Sequence, residues 1–294
     1  MIGRRQWLGG AAGLGCWVHA RRAGAADGFE VLSAAFARIE AERGGRLGVA
    51  VLDTGSSRRA GYRQNERFPI GSTFKLLAAG AVLARADAGQ DSMDRRIRFA
   101  RGDLVTYSPE TEKHAGGDGM TLAALCEAAI TLSDNTAGNL LLGVLGGPPG
   151  LTAYLRSLGD GVTRLDRMET ALNEARPGDP RDTTSPASML ADLQALTVGR
   201  ALSEPAKEAL QGRLRHNKTG DARLRARLPR GWQAGEKTGT SANGTSNDVG
   251  MLWPPEGSAP VLVAAYLTEG PTDGNLRDAA LADVSAAVTS AWMG

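Results

Sequence analysis

Val261-Leu262-Val263-Ala264-Ala265-Tyr266-Leu267 is a continuous apolar run near the end of the chain, and it reads as a buried β-strand. Its counterpart lies far upstream, where Leu47-Gly48-Val49-Ala50-Val51-Leu52 forms a second apolar run turned by Asp53-Thr54-Gly55. Another strand is expected around residues 59–64, and strand character also returns at 245–253. Phe29, Leu32, Phe36 and Ile39 fall at helical spacing before Gly44-Gly45, and a closing helix carries Leu276, Ala280, Val284 and Val288 on one face. From 65 to about 214 the pattern is helical, in Ala- and Leu-rich segments at 73–86, 121–131, 135–145, 151–158, 185–198 and 204–213. Ser185 before Pro186 is a helix start, an N-cap residue followed by proline at the first helical position. This order predicts an α/β (α+β) fold: an antiparallel sheet built from both chain ends and flanked by helices, plus an all-helical domain. The expected division is 27–64 with 215–294 as a discontinuous α/β domain and 65–214 as the helical one. The seam between them is a natural place for a cleft.

The 294 residues are 42% hydrophobic and 22% charged, a globular balance, and the 39 glycines follow no G-X-Y period. Residues 1–26 read as an export signal, with Arg4-Arg5 before a short apolar run and Ala23-Gly24-Ala25 as a cleavage site. Paired arginines ahead of a weakly hydrophobic segment resemble a twin-arginine signal and imply a periplasmic protein; an ordinary Sec signal is the alternative. Cys16 follows a poor lipobox. Loss of 1–26 removes four arginines and no acid, which takes the formal charge from +2 to −2. That excludes a nucleic-acid footprint, and no remaining run is long enough to span a bilayer. Cys126 is then the sole cysteine, so no intrachain disulfide forms. Histidine occurs only as His19, His114 and His216, which argues against a zinc hydrolase built on several His and Cys ligands.

Ser72-Thr73-Phe74-Lys75 is the chain's Ser-x-x-Lys, and it opens an apolar helix. One turn apart, Ser72 and Lys75 share a face; a desolvated lysine there loses proton affinity and can act as a base. By itself the motif arises by chance about once in a protein of this size. Ser133-Asp134-Asn135 lies between two helical runs. Lys237-Thr238-Gly239-Thr240 comes just before a strand pattern, while the upstream copy, Lys218-Thr219-Gly220, sits among loop-like neighbours. A long polar stretch from Arg164 to Pro186 carries Glu169, and loops of such length in a compact domain are usually functional.

The four elements in this order resemble the class A serine β-lactamases, and the resemblance runs from about residue 29 to 292. It implies a serine hydrolase that opens the β-lactam amide through an acyl-enzyme, with small-molecule substrates, no cofactor, no metal ion and a monomeric state. Ser72 is implied as the nucleophile, and Lys75 or Glu169 as its base. Glu169 and Asn173 would hold the hydrolysing water, and Ser133 would relay a proton to the lactam nitrogen. Tyr107 and Asn135 would contact the substrate, Asn135 through a side-chain amide. Lys237, Thr238, Gly239 and Thr240 would receive its carboxylate, with the N–H groups of Ser72 and Thr240 as the oxyanion hole. Arg167 and Asp182 match the ion pair that pins the loop. The strand position that often supplies a carboxylate-anchoring arginine is here Ser246 or Asn247, so Arg223 is nominated instead.

Cys126 has no cysteine partner in 76–80, so the disulfide frequent in the family is absent. Gly71 and Ser241 also depart from common members at positions that bear on spectrum. A penicillin-binding D-Ala-D-Ala peptidase would lack the Glu169 and Asn173 loop, and a penicillin-sensor domain would be tethered by a membrane helix. A Ser-His-Asp esterase would need G-x-S-x-G, which is missing.

Overall fold

The computed structural model describes residues 29–294; the leader read over 1–26 lies outside them. Strands β1 (Arg46–Asp53), β2 (Arg59–Tyr62), β7 (Gln233–Ser241), β8 (Thr245–Trp253) and β9 (Val261–Thr268) form an antiparallel sheet in the order β2-β1-β9-β8-β7. β9 is central because it pairs on both sides, Arg46↔Thr268 to Asp53↔Val261 with β1 and Ser246↔Leu267 to Leu252↔Val261 with β8. Its unbroken hydrophobicity follows from burial on both faces, since alternate side chains point opposite ways. Val261, Val263, Ala265 and Leu267 join Phe36, Ile39, Val284 and Val288 in one core. Leu262, Ala264 and Tyr266 face the other, with Phe74, Leu77, Leu193 and Met189.

The terminal helices α1 (Leu32–Arg43) and α8 (Gly274–Met293) supply the first of these cores. Leu276 is an exception to the expected face. It is 46% exposed, because the first turn of α8 projects beyond the packed surface and burial begins at Ala280.

The segment between the strands contributes α2 (Phe74–Asp87), α3 (Leu122–Thr131), α4 (Asn135–Leu145), α5 (Gly147–Ser157), α6 (Pro186–Thr197) and α7 (Glu204–Arg215). It also holds two short antiparallel pairs, β3 (Phe68–Pro69) with β6 (Thr183–Thr184) and β4 (Arg96–Ile97) with β5 (Met120–Thr121). Every residue of α2 from Phe74 to Leu83 is buried, which is why that helix is apolar all round. Side-chain caps start the helices around it: Thr121 on Ala124 N, Asp134 on Ala137 N, Ser185 on Ser188 N and Ser203 on Ala206 N. α5 begins four residues earlier than its apolar pattern suggests. Gly146, left-handed at φ 89°, ends α4, and Pro148 and Pro149 fit the first turn of the next helix, where no amide hydrogen is needed.

Asp192 on α6 is a buried carboxyl beside Asp160, with its Oδ2 unpartnered. Burial and the neighbouring Asp160 charge push its pKa up to about 9, while Asp160 itself accepts from Val162 N and Thr163 N. The folded state therefore keeps a proton that the unfolded chain releases near pH ~4. Asp192's contribution to stability is complete below that pH and is lost as pH rises toward 9. Asp192→Asn, which can still donate to Asp160, is expected to melt at least about 2–4 °C higher at pH 8 and to show no gain at pH 4. Calorimetry at the two pH values checks this.

Candidate active site

Gly71–Thr73 form one 3₁₀ turn that runs into α2, and they set Ser72 where the helix meets the edge of the sheet. Lys75, one turn on, is fully buried. Its Nζ donates to Ser72 Oγ at 2.9 Å, Ser133 O at 2.8 Å and Asn135 Oδ1 at 2.5 Å, and pairs with Glu169 Oε1 at 3.1 Å. Gly138 on α4 makes room for the stem, since a Cβ there would lie 2.9 Å from Lys75 Cε. Burial pushes the Lys75 ammonium below lysine's ordinary value, and the Glu169 charge works against that shift. Ser72 Oγ in turn donates to Glu169 Oε1 at 3.2 Å. One hydroxyl thus touches two groups able to take its proton.

Ser133 occupies the turn between α3 and α4 with φ 58°. Its neighbour Asp134 is fully buried and staples the adjoining loop: its Oδ2 accepts from Glu110 N and Thr111 N while Oδ1 accepts from Ala137 N. Asn135 donates from its backbone to Tyr107 O and from Nδ2 to Thr106 O, which leaves Tyr107 exposed at the rim. From the opposite wall, Lys237 Nζ donates to Ser133 Oγ at 3.0 Å and to Thr238 O at 2.8 Å. The Lys-Thr-Gly segment lies inside the edge strand β7, just ahead of the strand pattern at 245–253 that forms β8. Glycines hide strand character, and here Gly239 permits close approach, its would-be Cβ lying 3.3 Å from Ser72 N and Ile70 O. Burial pushes the Lys237 ammonium well down, and the positive charges of Lys75 and Arg223 add to this.

Glu169 enters on the long loop. Asn139 of α4 clamps its backbone, accepting from Glu169 N at 2.8 Å and donating to Glu169 O at 3.0 Å. Asn173 Nδ2 donates to Glu169 Oε2 at 2.6 Å. At the loop's neck Arg167 Nε meets Asp182 Oδ2 at 2.6 Å, and Asp182 Oδ1 also accepts from the amides of Asp166 and Arg167. Asp182 O receives Ile70 N, so the neck is tied to the segment that carries Ser72. Asp182 is buried, whereas Arg167 keeps Glu174 as a second partner at 2.6 Å. Asp182→Asn is therefore expected to cost ~2–3 kcal/mol, short of a fully dry pair, with faster amide exchange across 164–182. Melting and exchange measurements check this; an unchanged melting temperature would mean the pair does not hold the loop.

Arg223 is buried behind the β7 edge. Its guanidinium donates to Gly239 O, Asn247 O and Thr240 Oγ1, each at 2.8 Å, and Nε meets Asp278 Oδ1 at 2.8 Å. Ser246 Oγ accepts from Arg277, and the Asn247 side chain reaches Pro69 O. Ser72, Tyr107, Ser133, Asn135, Asn173, Thr238, Thr240 and Arg223 line a cavity of about 260 Å³, together with Thr219 of the discounted upstream copy. Thr219 bonds Thr238 Oγ1, whereas Lys218 beside it is exposed. Asn139 is a contributor that the motifs do not contain, and its one signal is the i+4 spacing from Asn135 on one helix face. Thr219 belongs to the upstream Lys-Thr-Gly copy, and Ser241 stood out only as a departure bearing on spectrum.

Known proteins resemble the chain over nearly all its described length. The family described as "Beta-lactamase enzyme family" matches residues 31–292. Beta-lactamase AST-1 of Nocardia asteroides is 49% identical over 256 residues, 87% of this chain and 82% of the relative. Beta-lactamase L2 of Stenotrophomonas maltophilia is 47% identical over 249 residues, 85% of this chain and 82% of the relative. Among solved structures, an ancestral (GNCA) class A β-lactamase superposes with a TM-score of 0.86 at 60% identity, covering 88% of this chain and 99% of its own. A putative class A β-lactamase, PenP from Rhodopseudomonas palustris, gives 0.86 at 58% identity over 89% and 99%.

Proposed function

The chain belongs to the class A β-lactamases and hydrolyses the β-lactam amide bond, a reaction that confers resistance, and from that premise we propose the part each side chain plays. Ser72 Oγ attacks the lactam carbonyl, and its proton passes to Lys75 or Glu169. The carbonyl oxygen, now negative, is held by the N–H groups of Ser72 and Thr240. Ser133, between the two lysines, gives its proton to the departing nitrogen and takes one back from Lys75, so the C–N bond breaks, an ester to Ser72 remains and Ser133 ends as a neutral hydroxyl. Lys237, Thr238, Gly239, Thr240 and Arg223 hold the substrate carboxylate, whose charge favours the protonated form of Lys237 that burial and the neighbouring Lys75 and Arg223 charges oppose. Asn135 and Tyr107 position the rest of the substrate. Glu169, steadied by Asn173, then takes a proton from water as it attacks the ester, and Ser72 leaves reprotonated.

One contact set carries the reading: a single Glu169 oxygen lies 3.2 Å from Ser72 Oγ and 3.1 Å from Lys75 Nζ. A general base is thus in reach of the atom where the ester forms. The same proposal treats 27–64 with 215–294 and 65–214 as two domains flanking the cleft. It has the enzyme act as a monomer, exported to the periplasm by a twin-arginine leader over residues 1–26. The test is hydrolysis of a penicillin, a cephalosporin and a carbapenem by protein lacking the leader, with intact mass followed over the same time. Many turnovers with return to the unmodified mass are expected. One equivalent consumed, with a persistent adduct, would instead describe a D-Ala-D-Ala peptidase.

A further inference from the structure

Asn173 has one end that donates and one that accepts, and the two ends are not interchangeable. Glu169 Oε2 is an acceptor, so the Nδ2 group must face it, and does so at 2.6 Å. Oδ1 then points the other way, where Ser241 Oγ donates to it at 3.0 Å. The next residue repeats the tie through the main chain, with Ala242 N donating to Asn173 O at 2.9 Å. The last residue of β7 is therefore joined to the loop that carries Glu169.

The Ser241 hydroxyl occupies space left by a missing side chain. Gly71, at φ 50°, faces it, and a Cβ there would lie 2.8 Å from Ser241 Oγ. Gly71 also immediately precedes Ser72. The strand end, the turn before the nucleophile and the Glu169 loop thus meet around one hydroxyl group.

We propose that Ser241 is a positioning residue for deacylation: its hydroxyl fixes the amide of Asn173 in the orientation that donates to Glu169. Without that donor, Oδ1 has no partner from β7, and the amide can turn its oxygen toward the carboxylate, where two acceptors repel. The carboxylate loses its fixed aim on the ester-attacking water, while Ser72, Lys75 and Ser133 are untouched. The inference rests on the reading of Glu169 as the deacylating base.

The experiment uses benzylpenicillin with wild type, Ser241→Ala, Asn173→Ala and the double variant, by stopped flow and quenched intact mass. Loss of one neutral hydrogen bond predicts a three- to tenfold lower kcat, roughly what such a bond contributes. KM should fall by the same factor with kcat/KM within about twofold, because acylation is unaffected, and more acyl-enzyme should stand at steady state. In the Asn173→Ala background, Ser241→Ala should do nothing further. An unchanged kcat, a fall in kcat/KM matching that of kcat, or full additivity with Asn173→Ala would each overturn the proposal. Glu169→Ala in the same assay separates the two levels. If it fails to trap the adduct, the underlying reading falls; if it traps and Ser241→Ala is silent, only this inference does.

Discussion

Ser72→Gly is expected to form no covalent adduct with any β-lactam and to lose hydrolysis by on the order of 10⁴–10⁶-fold, the scale seen when a hydrolase loses its nucleophile. The residue removes only a hydroxymethyl group from a turn whose backbone is otherwise held by Thr73 and Ile70. Lys75 keeps Glu169, Ser133 and Asn135 as partners, so no buried charge is orphaned and the melting temperature should stay within about 2 °C. The proposed carboxylate pocket of Lys237, Thr238 and Thr240 is left untouched, so substrate should still bind. Binding without reaction, seen as a KD by calorimetry with no mass increment, is the expected outcome. A penicilloyl increment on this variant would place the nucleophile elsewhere.

The sheet was legible because β1 and β9 are buried on both faces and carry unbroken apolar runs, Leu47 to Leu52 and Val261 to Leu267. The helices were legible from their caps and periods. The extent of β7 is not legible, because Gly235, Lys237 and Gly239 give it neither alternation nor β-propensity; its register comes from pairing Lys237↔Val249 and its neighbours with β8. Leu276 shows the converse limit, a residue with the right period on a turn that has nothing to pack against. In the site, the motif residues announce themselves by spacing along the chain, whereas Asn139, Thr219 and Ser241 act through contacts across it. Ser241 and Asn173 are brought together only when the edge strand docks on the loop, and no local pattern encodes that meeting.

Glu169→Ala is expected to separate acylation from deacylation, because it removes one of the two proposed bases and leaves Lys75 in contact with Ser72 Oγ. Lys75 contacts Ser72 Oγ directly, and burial already depresses its ammonium against the opposing charge of Glu169. Deleting that charge removes the opposition, so Lys75 surrenders its proton more readily and remains a competent base for attack. The ester that results has no comparable partner for its hydrolysis. Water must be deprotonated as it attacks, and Lys75 Nζ is already engaged by Ser133 O and Asn135 Oδ1. General-base assistance of this kind is typically worth ~10²–10⁴-fold, so deacylation should slow by that factor while the adduct forms within the first turnover. With benzylpenicillin the expected record is a burst of one equivalent and a penicilloyl mass that persists long after wild type has cleared its substrate. Turnover at the wild-type rate would mean that another group deprotonates the water, and the Glu169 loop would then have to be read as a structural lid on Ser72.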